Sequence, residues 1–409
     1  MQKKIEQLIK KGVVIPSPES IEIGANVDVG NISGDSVQIH SGCKLLGGST
    51  RIMAHTRIGY EAPVTIQDCQ LGPRVALKGG FFKQSVFLEN ASAGSGSHVR
   101  EGCIFEEEAN IAHTVGLKQT ILFPFVTLGS LINFCDCLMA GGTSRKDHSE
   151  VGSAYIHFNF TPNQDKATPS LIGDVPRGVL LDQAPIFLGG QGGLVGPCRI
   201  AFGTIAAAGS ILRKDVLKNN RIVIEAAAKG GSIPHVPGRY RLIKRTLVNN
   251  VLYIGNLIAL AQWYRHVRSQ FISGLFPDFL HQAVLDKLQI ILDERIRRLD
   301  QLAGKMMLSI QKHSGKTGGS KLLTQQQELL DNRGALVDSL QKVSSYAGDP
   351  ALRDQFLGAL ACRIQPNKPK YINLIRSLDP KTKKLGSQWL QEIVDHTLEE
   401  VLGILPSFK

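Results

Sequence analysis

Residues 187–216 read FLGGQGGLVGPCRIAFGTIAAAGSILRKDV, and in this segment an apolar residue returns at every sixth position. A helix would repeat its apolar face about every 3.6 residues and a half-buried strand every second residue, so neither explains a period of six. Short strands joined by tight corners do explain it, because one aliphatic side chain then enters the core from each face. The positions in phase are Leu188, Leu194, Ile200, Ala206 and Leu212. The segment therefore predicts a parallel β-helix.

The same step of six recurs through the preceding part of the chain. It connects Ile23 to Val29, Val37 to Cys43, Ile52 to Ile58 and Val64, and Leu71 to Leu77. A β-sandwich is the alternative, but strands joined by hairpins would not keep one phase over five successive positions. We therefore predict a β + α fold. It consists of a linker helix over residues 1–15, a three-faced β-helix with 18-residue coils over 16–235, and a basic α-helical domain over 236–409.

The charge of the chain is concentrated in that second part. Of the formal net charge of +12, residues 1–235 carry 22 Lys and Arg against 20 Asp and Glu, and residues 236–409 carry 25 against 15. Apolar residues take helical spacing there, as in LVNNVLYIGNLIALAQWYRHV (247–267). Asn and Gln interrupt this segment, so we predict a buried or lipid-surface helix rather than a membrane span. The basic run DPKTKKLG (379–386) is predicted to lie in a loop.

A basic helical domain has two interpretations. It could bind an anionic partner, such as an acidic protein or the surface of a membrane. It could instead pack against the β-helix, which its apolar helices and the tryptophans Trp263 and Trp389 favour. Nucleic acid is not expected, because the sequence has no RNA-binding signature, zinc finger or interleaved aromatic pattern.

Cysteine usage and the N-terminal residues bear on location and metal binding. The seven cysteines are odd in number and scattered, which fits reduced thiols rather than a disulfide framework. The start MQKKIEQLIKKG (1–12) has charge but no apolar signal segment, so we expect a cytoplasmic protein. Cys135-Asp136-Cys137 lacks the spacing and second ligand pair of a zinc site, so no metal is predicted.

Because the coils stack, the spacing of two residues in the sequence predicts whether they are in contact. Successive coils lie roughly 4.8 Å apart, so residues 18 positions apart in an uninterrupted run occupy the same edge, one above the other. Arg100 and Lys118 have this spacing. Two stacked cations repel each other, so they would hold an anion unless acidic neighbours such as those at 106–108 neutralise them. A solvated edge without a ligand is the alternative.

Residues 1–216 resemble a known bacterial enzyme family. The stretch KKIEQLIKKGVVIPSPESIEIG (3–24) and the repeats after it are similar to the C-terminal, left-handed β-helical acetyltransferase domain of the bifunctional N-acetylglucosamine-1-phosphate uridyltransferase/glucosamine-1-phosphate acetyltransferase. The uridyltransferase domain of that family has no counterpart in these 409 residues. The resemblance implies a left-handed β-helix, a sugar 1-phosphate or nucleotide sugar as substrate, and a homotrimer whose pockets form between neighbouring β-helices.

The resemblance also implies substrate-binding residues. Arg100 and Lys118, the latter in VGLK, match an Arg and a Lys that contact the phosphate of the sugar 1-phosphate, in agreement with the stacked-cation argument. The segment HFNFTPNQDKAT (157–168) is similar to the family's TCNYDGANKFKT. This similarity puts Asn159 on a sugar-contacting Asn and Lys166 within one position of a substrate Lys.

Residues 187–216 are similar to the family's acetyl-CoA edge without a gap. Gly190 and Ala208 fall at cofactor-contacting positions, which implies acetyl-CoA or another acyl-CoA as co-substrate. These two residues are also 18 apart, and stacked small residues leave room for a pantetheine arm along the edge. Small residues also occur at corners for packing alone.

The departures from the family concern the catalytic motif. GSLINFCD (129–136) stands where the family has GHLTYLGD, so Ser130 replaces the catalytic His and Asn133 replaces a phosphate-contacting Tyr. Histidine suits amide formation because its ordinary pKa lies near neutrality, whereas serine cannot remove a proton without a partner base. Loss of a general base costs on the order of 10²–10⁴ in rate.

Another histidine could replace the lost base. His148 lies beside Asp147 in the polar segment SRKDHSE (144–150), which is extra relative to the family and is predicted to be an exposed loop next to the sugar site. A neighbouring carboxylate keeps an imidazole basic, so His148 could act as a displaced base. A solvated loop histidine without a role is the alternative. His113 could contact the phosphate.

Two functions remain open from the sequence. One is an acyl-CoA-dependent transferase of the hexapeptide-repeat type, similar to a glucosamine-1-phosphate N-acetyltransferase. The other is a non-catalytic trimeric scaffold or sensor that still binds a sugar phosphate through Arg100 and Lys118. The preserved cofactor edge favours the transferase, and the missing histidine favours the scaffold.

Overall fold

The computed structural model describes residues 2–225, 230–232, 234–313, 321–364 and 369–409. Its N-terminal part is a parallel-strand β-solenoid of about 11 turns, and residues 243–404 form an all-helical region. Both parts of the predicted fold are confirmed. One antiparallel pair, Gly142–Ser144 with Asp147–His148, projects from the solenoid.

The solenoid has three faces, on which strands of successive coils pair in parallel. Face 1 contains Glu22–Ile23, Lys44–Leu46, Val64–Gln67, Gly80–Lys83, Ser97–Val99, Ile156–Phe158, Gly193–Val195 and Ile211–Leu212. Face 2 contains Arg51–Ile52, Gln70–Leu71, Val86–Phe87, Ile104–Phe105, Ser170–Ile172 and Cys198–Ile200. Gly116–Leu122 and Asn133–Met139 run across both of these faces. Face 3 contains Gln38–Ile39, Arg57–Ile58, Ala76–Leu77, Ser92–Ala93, Asn110–Ile111, Thr127–Leu128, Glu150–Val151, Phe187–Leu188, Ile205–Ala206 and Ile222–Val223.

Several coils are shorter than the expected 18 residues. On face 1, Val64 pairs with Gly80 and Phe81 with His98, which are steps of 16 and 17 positions, whereas His98 pairs with Gly116 at a step of 18. A single residue in the left-handed region can make a tight corner without breaking the strand. Asp136, with φ 60°, does so within the strand Asn133–Met139. A corner that joins two faces takes their numbers. Asp136, between face 1 and face 2, therefore lies at corner 1–2.

The described residues contain ten α-helices. They are α1 (Gln2–Lys11), α2 (Val175–Gly178), α3 (Ile243–His266), α4 (Asp278–Gly304), α5 (Met306–Gln311), α6 (Lys321–Asp331), α7 (Arg333–Val343), α8 (Pro350–Ile364), α9 (Tyr371–Ser377) and α10 (Pro380–Ile404). Within the described ranges, none of these helices is long and apolar enough to cross a membrane.

The predicted loop at 379–386 is wrong, because α10 begins there. Asp379 is the N-cap, and its side chain accepts a hydrogen bond from the backbone N–H of Thr382. Pro380 occupies the first helical position, where a backbone N–H has no partner within the helix. An Asp-Pro start is therefore a helix signal that outweighs the basic residues after it.

Helices α3 and α4 cover face 2. On this face the outward-pointing side chains Val86, Ile104 and Leu138 are fully buried, whereas outward positions of face 3, such as Gln38 and Arg57, are polar and at least partly exposed. Fully burying one aliphatic side chain contributes roughly 1.5–3 kcal/mol. The β-helix and the helices consequently share one hydrophobic core. The domain boundaries at residues 15/16 and 235/236 stay predictions.

A buried charged cluster joins corner 2–3 to the end of α3. The Tyr264 hydroxyl donates to the Glu106 carboxylate, and Arg268 pairs with Glu107. The guanidinium of Arg268 also stacks on the ring of Tyr371, 3.8 Å from its centroid. The glutamates at 106 and 107 are thus engaged with the helices rather than with Arg100 and Lys118.

Glu106 should make stability depend on pH. Burial raises the pKa of Glu106 to about 7, although Arg268 opposes the shift, and an unfolded glutamate has a pKa of about 4.3. The raised pKa of Glu106 therefore stabilises the folded protein fully below pH 4.3, and this stabilisation is lost as pH rises through 7. Over that range the unfolded chain binds fewer protons than the folded chain. Between pH 4.3 and 7.5 the wild type should lose roughly 2–3 kcal/mol relative to Glu106→Gln. Denaturant unfolding of both proteins across this range checks the prediction, and parallel stability curves would contradict it.

Candidate functional site

With one exception, the residues predicted to be catalytic or to bind substrate or cofactor lie on face 1 or at its two borders. Asn133 is the first residue of its strand on face 1, and Arg100 and Lys118 lie at the other side of that face, near corner 1–2. Asn159 and Lys166 follow at corner 1–2, and Ser130, Gly190 and Ala208 lie at corner 3–1. His148 is the exception, because its strand lies at corner 2–3.

Arg100 and Lys118 occupy adjacent coils, one above the other. The backbone N–H of Arg100 donates to the carbonyl of Leu117, which continues the register of the two strands. Lys118 forms an ion pair with Glu101, with 2.7 Å between Nζ and Oε1. Among the described residues, no carboxylate lies within 4 Å of Arg100, whose Nη2 is 3.6 Å from the Cys135 thiol. The pair therefore offers one uncompensated cation and a second that an incoming anion would have to take from Glu101.

Asn133 and its neighbours form an open polar surface, here called the floor of the site, on face 1 between corner 3–1 and corner 1–2. Its side chain is exposed, and a Cβ built on the adjacent Gly116 would come no closer than 3.8 Å to Asn133 Oδ1. The Cys135 thiol donates weakly to the same oxygen, at 3.7 Å. Burial raises the pKa of Cys135, so the thiol remains protonated at neutral pH. The floor can donate and accept hydrogen bonds but offers no thiolate nucleophile.

Asn159 and Lys166 are both connected to helix α4 through Arg295. The Asn159 amide donates to Asp136 Oδ2 at 3.3 Å, and Asp136 Oδ1 pairs with Arg295 Nη2 at 2.9 Å. The same guanidinium donates to the Lys166 carbonyl and to Gln119 Oε1, at 3.2 and 3.1 Å. The Lys166 side chain is exposed. The helical region thus forms one wall of corner 1–2, beside the predicted sugar-binding residues.

His157 is a structural residue inside the β-helix. Its Nδ1–H donates to the Cys135 carbonyl at 2.6 Å, so Nε2 is free to accept from the Ser170 hydroxyl at 2.8 Å. Burial lowers the pKa of His157 to about 4, which keeps the ring neutral. A neutral ring with both nitrogens bonded is a poor candidate for proton transfer.

At corner 3–1 the structure brings Ser130 together with His113. The Ser130 hydroxyl is 2.8 Å from His113 Nδ1, and the Ser130 backbone N–H donates to the Ser153 hydroxyl at 3.2 Å. His113 is exposed at the corner one coil earlier. The imidazole can therefore accept the hydroxyl proton, which supplies the partner base that serine needs.

The preceding coils continue this column of polar side chains. The Ser95 hydroxyl donates to Glu61 Oε2 at 2.7 Å, and Lys78 pairs with Glu61 Oε1 at 2.9 Å. The pKa of Glu61 is lowered, mainly by the hydrogen bonds from Lys78 and Ser95 and to a smaller extent by the charge of His113. The Glu61 carboxylate is therefore fixed within this column, in the coils that precede Ser130.

Gly190 and Ala208 stack at the same corner, beyond Ser153. The Gly190 carbonyl accepts from the backbone N–H of Gly209 at 2.9 Å. A Cβ at Gly190 would come within 2.7 Å of the Ser153 carbonyl, so close packing of the coils by itself requires glycine there. Ala208 is exposed, and a Cβ built on the adjacent Gly209 would meet nothing within 4 Å. This edge therefore continues directly from Ser130 and His113.

His148 does not lie with Ser130. Its Nδ1 is 2.9 Å from the Arg145 carbonyl within the short antiparallel pair, and Nε2 is 3.8 Å from Glu150. The hairpin is fixed to corner 2–3, where Arg145 donates to the Phe125 carbonyl at 2.6 Å. A role for His148 as base stays a prediction from the sequence.

The sequence interpretation missed the contact between Ser130 and His113. These residues are 17 positions apart, so a rule based on 18 does not pair them. The repeat of polar residues at 95, 113 and 130 was a usable signal once coil length is allowed to vary by one residue.

Metal binding can be examined directly in the structure. The part of the chain that the structure describes contains no group of three or more His, Cys, Asp or Glu side chains that could hold an ion.

Comparison with known proteins finds relatives of the N-terminal half, although no protein-family model matches the chain. "Bifunctional protein GlmU" of Thermotoga petrophila is 28% identical over 215 residues, which are 52% of this chain and 42% of that protein. The proteins of the same name from Thermotoga maritima and Trichlorobacter lovleyi are 27% identical over 215 and 211 residues. The chain thus spans about two-fifths of the length of these curated relatives. The β-solenoid fits the β-helical domain that the sequence resembles.

Proposed function

We propose that the protein is an acyl-CoA-dependent transferase of the hexapeptide-repeat type that acylates the amino group of a sugar 1-phosphate or nucleotide sugar. The hydrogen bond between Ser130 and His113 carries this proposal, because it keeps a base at the position where the resembled family has its catalytic histidine. Similarity to the GlmU proteins over half of the chain supports the same class of reaction.

His113 and Ser130 would together remove the ammonium proton of the substrate. Ser130 Oγ accepts a hydrogen bond from the ammonium group, passes its own proton to His113 Nδ1 and takes one from the nitrogen. The freed amine attacks the thioester carbonyl carbon, the amide bond forms, and the C–S bond breaks. The sulfur leaves as a thiolate that takes the second proton of the attacking nitrogen and becomes free CoA, while His113 returns its proton to water.

Face 1 would hold the sugar phosphate between its two corners. From Asn133 to Asp136 the strand advances three residues, roughly 10 Å. We assign the phosphate to Arg100 and Lys118, with Lys118 exchanging Glu101 for the phosphate, and the sugar to Asn133 and Asn159. Lys166 lies at the rim of this surface and would meet the outer part of a nucleotide sugar.

The acyl-CoA would lie along corner 3–1, with Gly190 and Ala208 leaving room for its pantetheine arm.

We also propose a homotrimer that acts in the cytoplasm. An exposed apolar row on face 3, formed by Phe187, Ile205 and Ile222 in register, supports packing against further copies of the chain.

The second candidate is a non-catalytic trimeric scaffold or sensor for sugar phosphates. The absence of a histidine at position 130 and the ion pair between Lys118 and Glu101 favour it. Both candidates need Arg100 for phosphate binding, so they differ in turnover and not in affinity.

One experiment separates the two candidates. Purified protein is mixed with acetyl-CoA and glucosamine 1-phosphate, and release of free thiol is followed beside the thermal unfolding temperature. We expect thiol release, and a rise in unfolding temperature with glucosamine 1-phosphate alone. A rise without thiol release would leave only the sugar-phosphate-binding scaffold.

Arg100→Ala should abolish most of that ligand-dependent rise, because a charge-assisted bond to phosphate contributes about 1.5–3 kcal/mol, or more than tenfold in affinity. Lys44→Ala is the matched control, since Lys44 is a cation of face 1 whose partner is Glu22 at the far end of the solenoid. Equal stabilisation of the Arg100→Ala variant and the wild type would contradict the phosphate assignment in both candidates.

A further inference from the structure

A cavity separate from face 1 lies between the β-helix and the start of helix α3. It has a volume of about 420 Å³ and opens between the loop at 161–168, the turn at 195–197 and residues 234–246. Small-molecule sites commonly measure 300–1,000 Å³. None of the residues assigned above to the sugar phosphate, the acyl-CoA or proton transfer lines this cavity.

Three arginines line the cavity against one carboxylate. They are Arg239, Arg241 and Arg245. Arg245 is partly compensated by Asp215 at 3.6 Å, and Arg239 donates to His313, whereas Arg241 has no carboxylate within 4 Å in the described ranges. The single carboxylate of the lining, Asp165, already accepts from the hydroxyls of Thr161 and Tyr240. The lining therefore has an excess of positive charge.

The N-terminus of α3 points its backbone dipole at the same cavity. The helix has 24 residues, begins at Ile243 and has Leu242 at its N-cap, where no described side chain accepts a hydrogen bond from its first N–H groups. Leu242, Ile243 and Thr246 all line the cavity. Unpaired N–H groups at the start of a long helix favour an anion.

A buried hydroxyl without a partner provides independent evidence of a ligand. Thr168 is 2% exposed and lines the cavity, yet its Oγ1 has no hydrogen-bond partner in the described part of the chain. Arg245 Nε is likewise buried and unpaired. Leaving a buried donor unsatisfied costs about 1–3 kcal/mol, so an acceptor that reaches both groups would recover this free energy.

We propose that this cavity binds the phosphate or diphosphate group of a soluble small molecule. The phosphate oxygens would accept hydrogen bonds from Thr168 Oγ1, from Arg245 Nε and from the N–H groups at the start of α3, with Arg241 closing over them. Pro162, Pro197 and Leu242 offer apolar surface to the rest of the molecule. The site is separate from the sugar-phosphate surface because none of the residues assigned to that surface line it.

Inorganic pyrophosphate at constant ionic strength is the probe, and isothermal titration calorimetry and the thermal unfolding temperature are the measurements. We expect wild-type protein to bind it and to unfold at a higher temperature. Arg241→Ala should weaken binding about tenfold, the effect of one lost charge-assisted bond. Thr168→Val should weaken it severalfold while leaving the unliganded unfolding temperature unchanged or higher, because the hydroxyl has no partner without ligand.

Two further variants separate this site from other cations. Arg221→Ala removes an exposed arginine that does not line the cavity, and it should bind pyrophosphate like the wild type. Arg100→Ala should retain binding at the cavity, so a binding event that Arg100→Ala removes belongs to face 1 and one that Arg241→Ala removes belongs to the cavity. Equal affinity of the wild type, Arg241→Ala and Thr168→Val, or no binding at all, would overturn the proposal. Thiol release from acetyl-CoA is measured separately, so either proposal can fail without the other.

Discussion

His113→Ala should lower kcat/KM for acetyl-CoA-dependent thiol release by 10²–10⁴, the usual contribution of a positioned general base. His113 is the imidazole in contact with the Ser130 hydroxyl, 2.8 Å away. Removing the ring leaves the serine without an acceptor for its proton, so Ser130→Ala should lose a similar factor. The double variant should be little worse than either single variant, because residues that act as a unit are not additive.

The controls distinguish loss of chemistry from loss of structure. His55→Ala removes an exposed histidine at corner 2–3 and should retain full turnover. Millimolar imidazole should restore part of the activity of His113→Ala, an effect that a structural role would not produce. If His113→Ala retained wild-type turnover and His148→Ala lost it, the base would be His148 and our assignment would be wrong.

Arg295→Ala should lower the free energy of unfolding by about 3–5 kcal/mol, the typical cost of breaking a buried ion pair on one side. The Arg295 and Asp136 side chains are 1% and 4% exposed, and the guanidinium also holds Gln119 and the Lys166 carbonyl. The alanine variant leaves Asp136 buried without its counter-charge. Because Asn159 donates to the same carboxylate, affinity for glucosamine 1-phosphate should fall with stability.

Denaturant unfolding monitored by circular dichroism measures this loss. Arg297→Ala, two residues along the same helix, is the matched control: the Arg297 side chain is 52% exposed and Glu294 keeps Arg298 as a partner, so the loss should be less than about 1 kcal/mol. Replacing both partners, as Arg295→Met with Asp136→Asn, should recover part of the stability, because asparagine carries no charge and tolerates the left-handed backbone at position 136. A loss at Arg295 no greater than that at Arg297 would show that the buried pair does not fix α4 to the β-helix.

The sequence predicted the β-helix well because its period is imposed by local geometry. Leu188, Leu194 and Ile200 each enter the core from a different face, and six residues are what one face and one corner require. Coil length was less predictable, since one residue in the left-handed region, such as Asp136, can shorten a corner. The start of α10 was missed because net charge was weighed above the capping residue Asp379.

Candidate binding residues were predictable where the register is regular. Arg100 and Lys118 stack as their spacing of 18 indicated, and Gly190 and Ala208 do the same. The partners of these residues were not predictable. Glu101 reaches Lys118 from the next position along the chain from Arg100, and His113 reaches Ser130 over a coil of 17 residues.

By itself the sequence determined the solenoid, its three faces and the helical character of residues 243–404, because each follows from a hydrophobic period that is local in the chain. Only the tertiary structure decided where the helices lie. Arg295 meets Asp136 across 159 positions and Arg268 meets Glu107 across 161. Such contacts depend on which surfaces bury the most apolar area together, and no repeat in the sequence encodes that choice.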